Sequence, residues 1–150
     1  MTVKQQLKDD LTTAMKARDE VRLSTVRMAL TAVTNEEVAG KQARELSDDE
    51  VRKVLGRELK KRKEAAVAFS DAGRPERAAA ELAEAAILQT YLPEQLGDDE
   101  LAAIVTAAVA ESGATDPKQM GLVMKLVQPQ VAGRADGGRV AAEVKRQLGQ

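Results

Sequence analysis

Apolar residues recur at intervals of three and four along almost the whole chain, and no stretch alternates as a half-buried strand would. The pattern predicts seven helices. The first runs from about Val3 to Ala17, with Thr2 and Gln5 as a capping-box pair and Val3, Leu7, Leu11, Ala14 and Met15 as its stripe. The second follows Asp19, carries Leu23, Val26, Leu30 and Val33, and is ended by Gly40. Ser47-Asp48-Asp49-Glu50 is a second capping box and opens the third, whose seam is Val51, Val54, Leu55, Leu59, Ala66 and Phe69.

Gly73-Arg74-Pro75 turns the chain, and Pro75 suits the first position of a fourth helix reaching about Tyr91. On that helix Ala78, Leu82, Ala85 and Ala86 share one face, whereas Ile87 and Tyr91 fall nearly opposite. A helix apolar on two sides is packed on two sides, so its last turns are expected between the N-terminal bundle and whatever follows Pro93. Pro93 cannot continue a helix and biases Leu92 away from helical geometry, which divides the chain there.

The fifth helix begins near Asp98 with Leu101, Ile104, Val105 and Ala108, and Gly113 stops it. Asp116 caps the sixth, with Pro117 at its first position. Met120, Val123, Met124, Val127 and Val131 lie on one face of this helix and Leu122 and Leu126 on the other, which suggests the centre of a three-helix unit. A last turn, Gly133 to Gly138, leads to a helix striped by Val140, Val144 and Leu148. The fold class expected is all-α, with an N-terminal helical domain of about four helices over 1–92 and a C-terminal three-helix domain over 93–150.

Composition narrows what such a fold can do. The hydrophobic share of 43% leans on alanine, so the helices should be thin and closely packed. Aromatics amount to 1%, Phe69 and Tyr91 alone, too few for the platforms on which single-strand and RRM-type binders stack bases. Charged residues make up 31% yet the net charge is −1, so polyanion binding has to come from local clustering. With no cysteine and no histidine, disulfides and thiolate zinc sites are excluded, and the commonest nucleophiles and proton carriers are missing. No catalytic residue, metal or cofactor is expected. No apolar run approaches the ~20 residues that cross a bilayer, and the start opens directly into an amphipathic pattern. A cytoplasmic monomer without membrane contact is the expectation.

One segment is strongly basic. Arg52, Lys53, Arg57, Lys60, Lys61, Arg62 and Lys63 stand against a single acid, Glu58. All but Arg62 project to the half of the helix opposite the seam, as a helix lying along a phosphate backbone requires; a solvated face is the alternative. Arg62 and Glu58 point into the seam one turn apart, and a buried arginine must be paired. Glu58 is the near partner, with Glu81 or Glu84 of the next helix as a second, giving a structural ion-pair network.

Residues 76 to 100 form an acidic belt without the compact ligand loop of a calcium site, and Asp98, Asp99 and Glu100 read as first-turn acids favoured by the helix dipole. The glycine-rich turn before the last helix lacks the Gly-Lys-Ser/Thr ending of a P-loop, so its glycines serve the turn itself. Lys125, Arg134 and Arg139 around it still add to a polyanion footprint.

Several short stretches, taken in order and spacing, resemble the GatB/YqeY family across almost the whole chain. They are Arg22-Leu23 with Val26-Arg27-Met28, Lys61-Arg62-Lys63-Glu64, and Gly73-Arg74-Pro75-Glu76 with Ala78 and Glu81. They continue with Tyr91-Leu92-Pro93-Glu94-Gln95-Leu96, Met120-Gly121-Leu122-Val123-Met124, and Gly133-Arg134-Ala135-Asp136-Gly137. The length resembles the free-standing YqeY form. The resemblance implies kinship with the C-terminal part of the B subunit of glutamyl/aspartyl-tRNA amidotransferase, a tRNA-engaging appendage. It also brings the activity label of a carbon-nitrogen ligase with glutamine as amido donor. In that assembly glutamine hydrolysis belongs to a separate subunit, and tRNA activation to the part of the B subunit that precedes this module. The resulting expectation is a non-catalytic module for tRNA or other structured RNA, using Lys53, Arg57, Lys60 and Lys61 with Lys125, Arg134 and Arg139. A protein-interaction adaptor without nucleic acid is the alternative.

Overall fold

A computed structural model of the chain describes residues 1–131 and 133–149. Among them are seven α-helices, one short 3-10 turn and no strand, the all-α architecture that the periodicity predicts. The residues group into two compact units, Met1–Leu92 and Pro93–Gln150, each built around its own apolar cluster. No helix among the described residues is long and apolar enough to cross a membrane.

The first unit contains α1 (Val3–Ala17), α2 (Glu20–Glu37), α3 (Asp48–Asp71) and α4 (Pro75–Gln89). Capping boxes open α1 and α3, Thr2 with Gln5 and Ser47 with Glu50, each satisfying amides that the first turn leaves without partners. The Glu50 carboxyl is held down to about 2, mainly by Arg44, whose guanidinium donates to it, and by the Ser47 amide. Leu7, Val26, Val33, Val51, Leu55 and Leu88 are the deepest side chains of this core.

Three expectations change here. Helix α2 ends at Glu37, before Gly40, because the Glu37 carboxylate is taken by Lys4 and by the Leu46 amide, which draws the following loop back onto the helix end. Met15 and Leu82 are 54% and 53% exposed and, with the exposed Ala86, leave their predicted stripes, since neighbouring helices cover the flanks that carry Ala14, Ala78 and Ala85. The fourth helix stops at Gln89, two residues short of Tyr91. Ile87, Leu88, Tyr91 and Leu92 all join the core of the first unit. Tyr91 donates its hydroxyl to Asp10 of α1, and its burial together with that bond pushes its pKa up.

The α3–α4 connection is a Schellman turn. Gly73 adopts φ 73°, its amide donates to the Ser70 carbonyl at 3.1 Å, and the Arg74 amide reaches Phe69 at 2.8 Å. Arg77 then lies over the Phe69 ring, 5.3 Å from its centroid.

The second unit contains α5 (Asp98–Ser112), the 3-10 turn Pro117–Gln119 running into α6 (Met120–Val131), and α7 (Gly137–Gln147). Val105, Val123, Val127, Val140 and Val144 form its deepest layer. Helix α5, and not α6, makes the more extensive contacts with both other helices. Leu122 is half exposed, whereas Leu126 packs onto the core. Pro129 sits near the end of α6, where its missing N–H removes only the bond to Lys125.

Candidate nucleic-acid interface

Helix α3 carries the basic segment, and at 24 residues it is the longest helix described. It spans about 36 Å at 1.5 Å per residue. Its apolar seam, Val51, Val54, Leu55, Leu59 and Ala66, is buried. On the other side Lys53, Arg57, Lys60, Lys61 and Lys63 are exposed, and Arg52 is half-buried. Arg52 pairs with Asp49 at 3.2 Å, Arg57 with Glu36 of α2 at 3.3 Å, and Lys61 with Glu58 at 3.2 Å. Lys53 and Lys63 bear no ion pair among the described residues.

Arg62 turns inward. Its guanidinium lies 3.8 Å from Glu58 and 3.5 Å from Glu84 of α4, donates to the Glu58 carbonyl at 3.3 Å, and touches the Met28 sulfur at 3.4 Å. Its Nε is buried and within ion-pair distance of Glu84 but makes no hydrogen bond. Glu81 sits one turn before Glu84 and forms no ion pair with Arg62 among the described residues. Burial, then the Glu81 charge, raise the Glu84 pKa, and Arg62 only partly offsets them.

Between α2 and α3 the side chains leave a trough. Arg27, Met28, Thr31 and Asn35 of α2 line it together with Arg57, Glu58 and Lys61 of α3. Arg27 and Asn35 are exposed donors that the sequence reading did not single out. Arg27 and Met28 stand within a stretch that carries the family resemblance, which was the available signal.

In the second unit Lys125 is exposed and carries no ion pair among the described residues. Arg134 and Arg139 have structural contacts. The Leu96 amide donates to the Arg134 carbonyl at 2.7 Å, Arg134 Nε reaches the Glu94 carbonyl at 3.4 Å, and Gln95 donates to the Gly133 carbonyl at 3.1 Å. Arg139 donates to the Leu96 carbonyl and to Asp98, both at 3.0 Å. The two arginines thus clamp the extended segment 93–97 against the glycine-rich turn. Among the described residues no cluster of three or more carboxylates converges as a metal site would require.

Two comparisons place the chain among known proteins. A family profile described as Yqey-like protein matches residues 4–148. Altered inheritance of mitochondria protein 41, mitochondrial, from Clavispora lusitaniae (strain ATCC 42720), is 31% identical over 130 residues, which covers 84% of this chain and 74% of that protein. The helical architecture and this near full-length match agree, and the chain belongs to the YqeY-like family.

Proposed function

We propose that this chain is a non-catalytic RNA-binding protein that engages tRNA or another structured RNA through phosphate and shape contacts. The observation that carries the reading is the exposure of Lys53, Arg57, Lys60, Lys61 and Lys63 along one side of a single long helix whose other side is buried. A rigid row of cations suits a phosphate backbone, and the lack of exposed aromatic platforms turns recognition toward shape. Lys125, Arg134 and Arg139 are the cations this reading assigns to RNA on the other unit. Each guanidinium has five N–H donors, so the clamp leaves donors for phosphate. The sequence resemblance to the tail of the amidotransferase B subunit is what favours tRNA as the RNA in this reading. The chain works in the cytoplasm in this reading, as a monomer.

The test is binding of the purified chain to total tRNA and to duplex DNA of equal charge across a salt series. Preference for tRNA that persists at physiological salt supports the reading. Equal binding reduces it to a polyanion-attracting surface.

The trough favours a second reading, a protein-interaction adaptor, because Met28 and Ala32 give it an apolar floor beside Arg27, Glu36 and Glu58. An absence of any RNA binding, with a protein partner retained after nuclease treatment, is the outcome that selects it.

A further inference from the structure

Gly56 stands in the interior of α3, where glycine weakens a helix relative to alanine. Gly73, Gly113, Gly133 and Gly149 each adopt a positive φ that calls for glycine, but Gly56 does not. Crowding does not require it either, because a Cβ built at Gly56 meets nothing within 4 Å. The fold therefore supplies no reason for a glycine here.

Its surroundings supply one. Residues three and four positions away on a helix are surface neighbours, and for Gly56 these include Arg52, Lys53 and Lys60, with Lys63 a turn further on. Lys53, Lys60 and Lys63 are exposed. Gly56 is half-buried between these cations and the buried Leu59 of the seam, and the missing side chain leaves open space at backbone level along this edge of the basic face. A glycine at such a point lets a ligand's backbone approach the protein backbone closely.

We propose that Gly56 is the close-approach point of the RNA interface, where the sugar-phosphate backbone seats against α3 while Lys53, Lys60 and Lys63 hold the flanking phosphates. This rests on the RNA-binding reading and deepens it. The occupant follows from charge complementarity: a row of cations around a bare stretch of helix fits a continuous polyanion.

The experiment uses the full chain with Gly56→Ala and Gly56→Leu, read by thermal melting and by tRNA binding at fixed salt. Gly56→Ala raises Tm by about 2–8 °C, as removal of a helical glycine should. It weakens tRNA binding about fivefold, because the added methyl group holds the sugar-phosphate backbone off the helix, and Gly56→Leu weakens it further. Opposite changes in stability and affinity are the signature. Two results overturn the proposal: no rise in Tm, which means the glycine serves the fold, or a rise in Tm with unchanged affinity. If the wild-type chain binds tRNA and Lys53→Glu weakens it while both Gly56 variants bind normally, only this inference falls. If the wild-type chain binds no RNA, the parent reading falls with it.

Discussion

The ammonium of Lys4 lies 2.9 Å from both carboxylate oxygens of Glu37, and the same carboxylate accepts the Leu46 amide at 3.3 Å. One residue thus ties the start of α1, the end of α2 and the loop leading to α3. An acid at a helix C-terminus opposes the helix dipole, so this position depends on its cation.

Glu37→Ala is expected to destabilise the chain by about 2 kcal/mol, the worth of a charge-assisted hydrogen bond. The Lys4 bond holds the Glu37 carboxyl below the usual value of 4.5, against burial and with help from the Leu46 amide. A lowered folded-state pKa contributes stability that is present above 4.5 and is lost as pH falls through the folded value. Glu50 and Glu143, both held down to about 2, act in the same sense. Melting temperature should therefore fall between about 4.5 and 2, and less steeply in Glu37→Gln.

Arg62 supplies a second prediction. Removing a largely buried cation strands Glu84 and leaves Glu58 with only the exposed Lys61, so Arg62→Ala should cost about 2–4 kcal/mol in urea unfolding. Glu84→Gln should be close to neutral at about pH 7. The Glu84 pKa is raised in the folded state, so its ionisation opposes folding, and stability is lost as pH rises through that value. A double-mutant cycle on Arg62 and Glu84 should give a coupling of about 1 kcal/mol. Zero coupling would remove Glu84 from the network.

The clamp of the second unit yields a third. We propose that residues 1–92 and 93–150 are separate domains, so each fragment expressed alone should melt cooperatively. Arg139→Ala should lower the stability of the 93–150 fragment by about 1–2 kcal/mol through loss of its bonds to Leu96 and Asp98. Lys125→Ala should change stability by less than about 0.5 kcal/mol while weakening RNA binding. A fragment that melts without a cooperative transition would count against the division.

The parts of the fold legible in the sequence are those governed by neighbours along the chain. Thr2 with Gln5, Ser47 with Glu50, and Gly73 with Pro75 act within one turn, and the helices start where these residues place them. Misreadings occur where distant residues decide. Gly40 is an adequate stop signal, but the Glu37 contacts to Lys4 and Leu46 end α2 earlier. Leu82 fits a helical stripe yet is exposed, and of the second apolar face of α6 Leu126 packs on the core while Leu122 stays half exposed, because coverage depends on which helices pack nearby. The trough donors Arg27 and Asn35 could not be read from periodicity, since the trough exists only through the spacing of α2 and α3. The engagement of Arg134 and Arg139 with backbone carbonyls likewise needs the turn geometry.

If the exposed cations of α3 contact RNA phosphates, tRNA affinity must depend on salt through those cations. Each phosphate contact adds about 0.7–0.9 to the slope of log affinity against log salt. The wild-type chain should show a steep negative slope, and Lys53→Glu combined with Lys60→Glu should bind more weakly with a slope shallower by at least about 1.4–1.8. Salt-insensitive binding, or a double variant with wild-type affinity and slope, would contradict the claim.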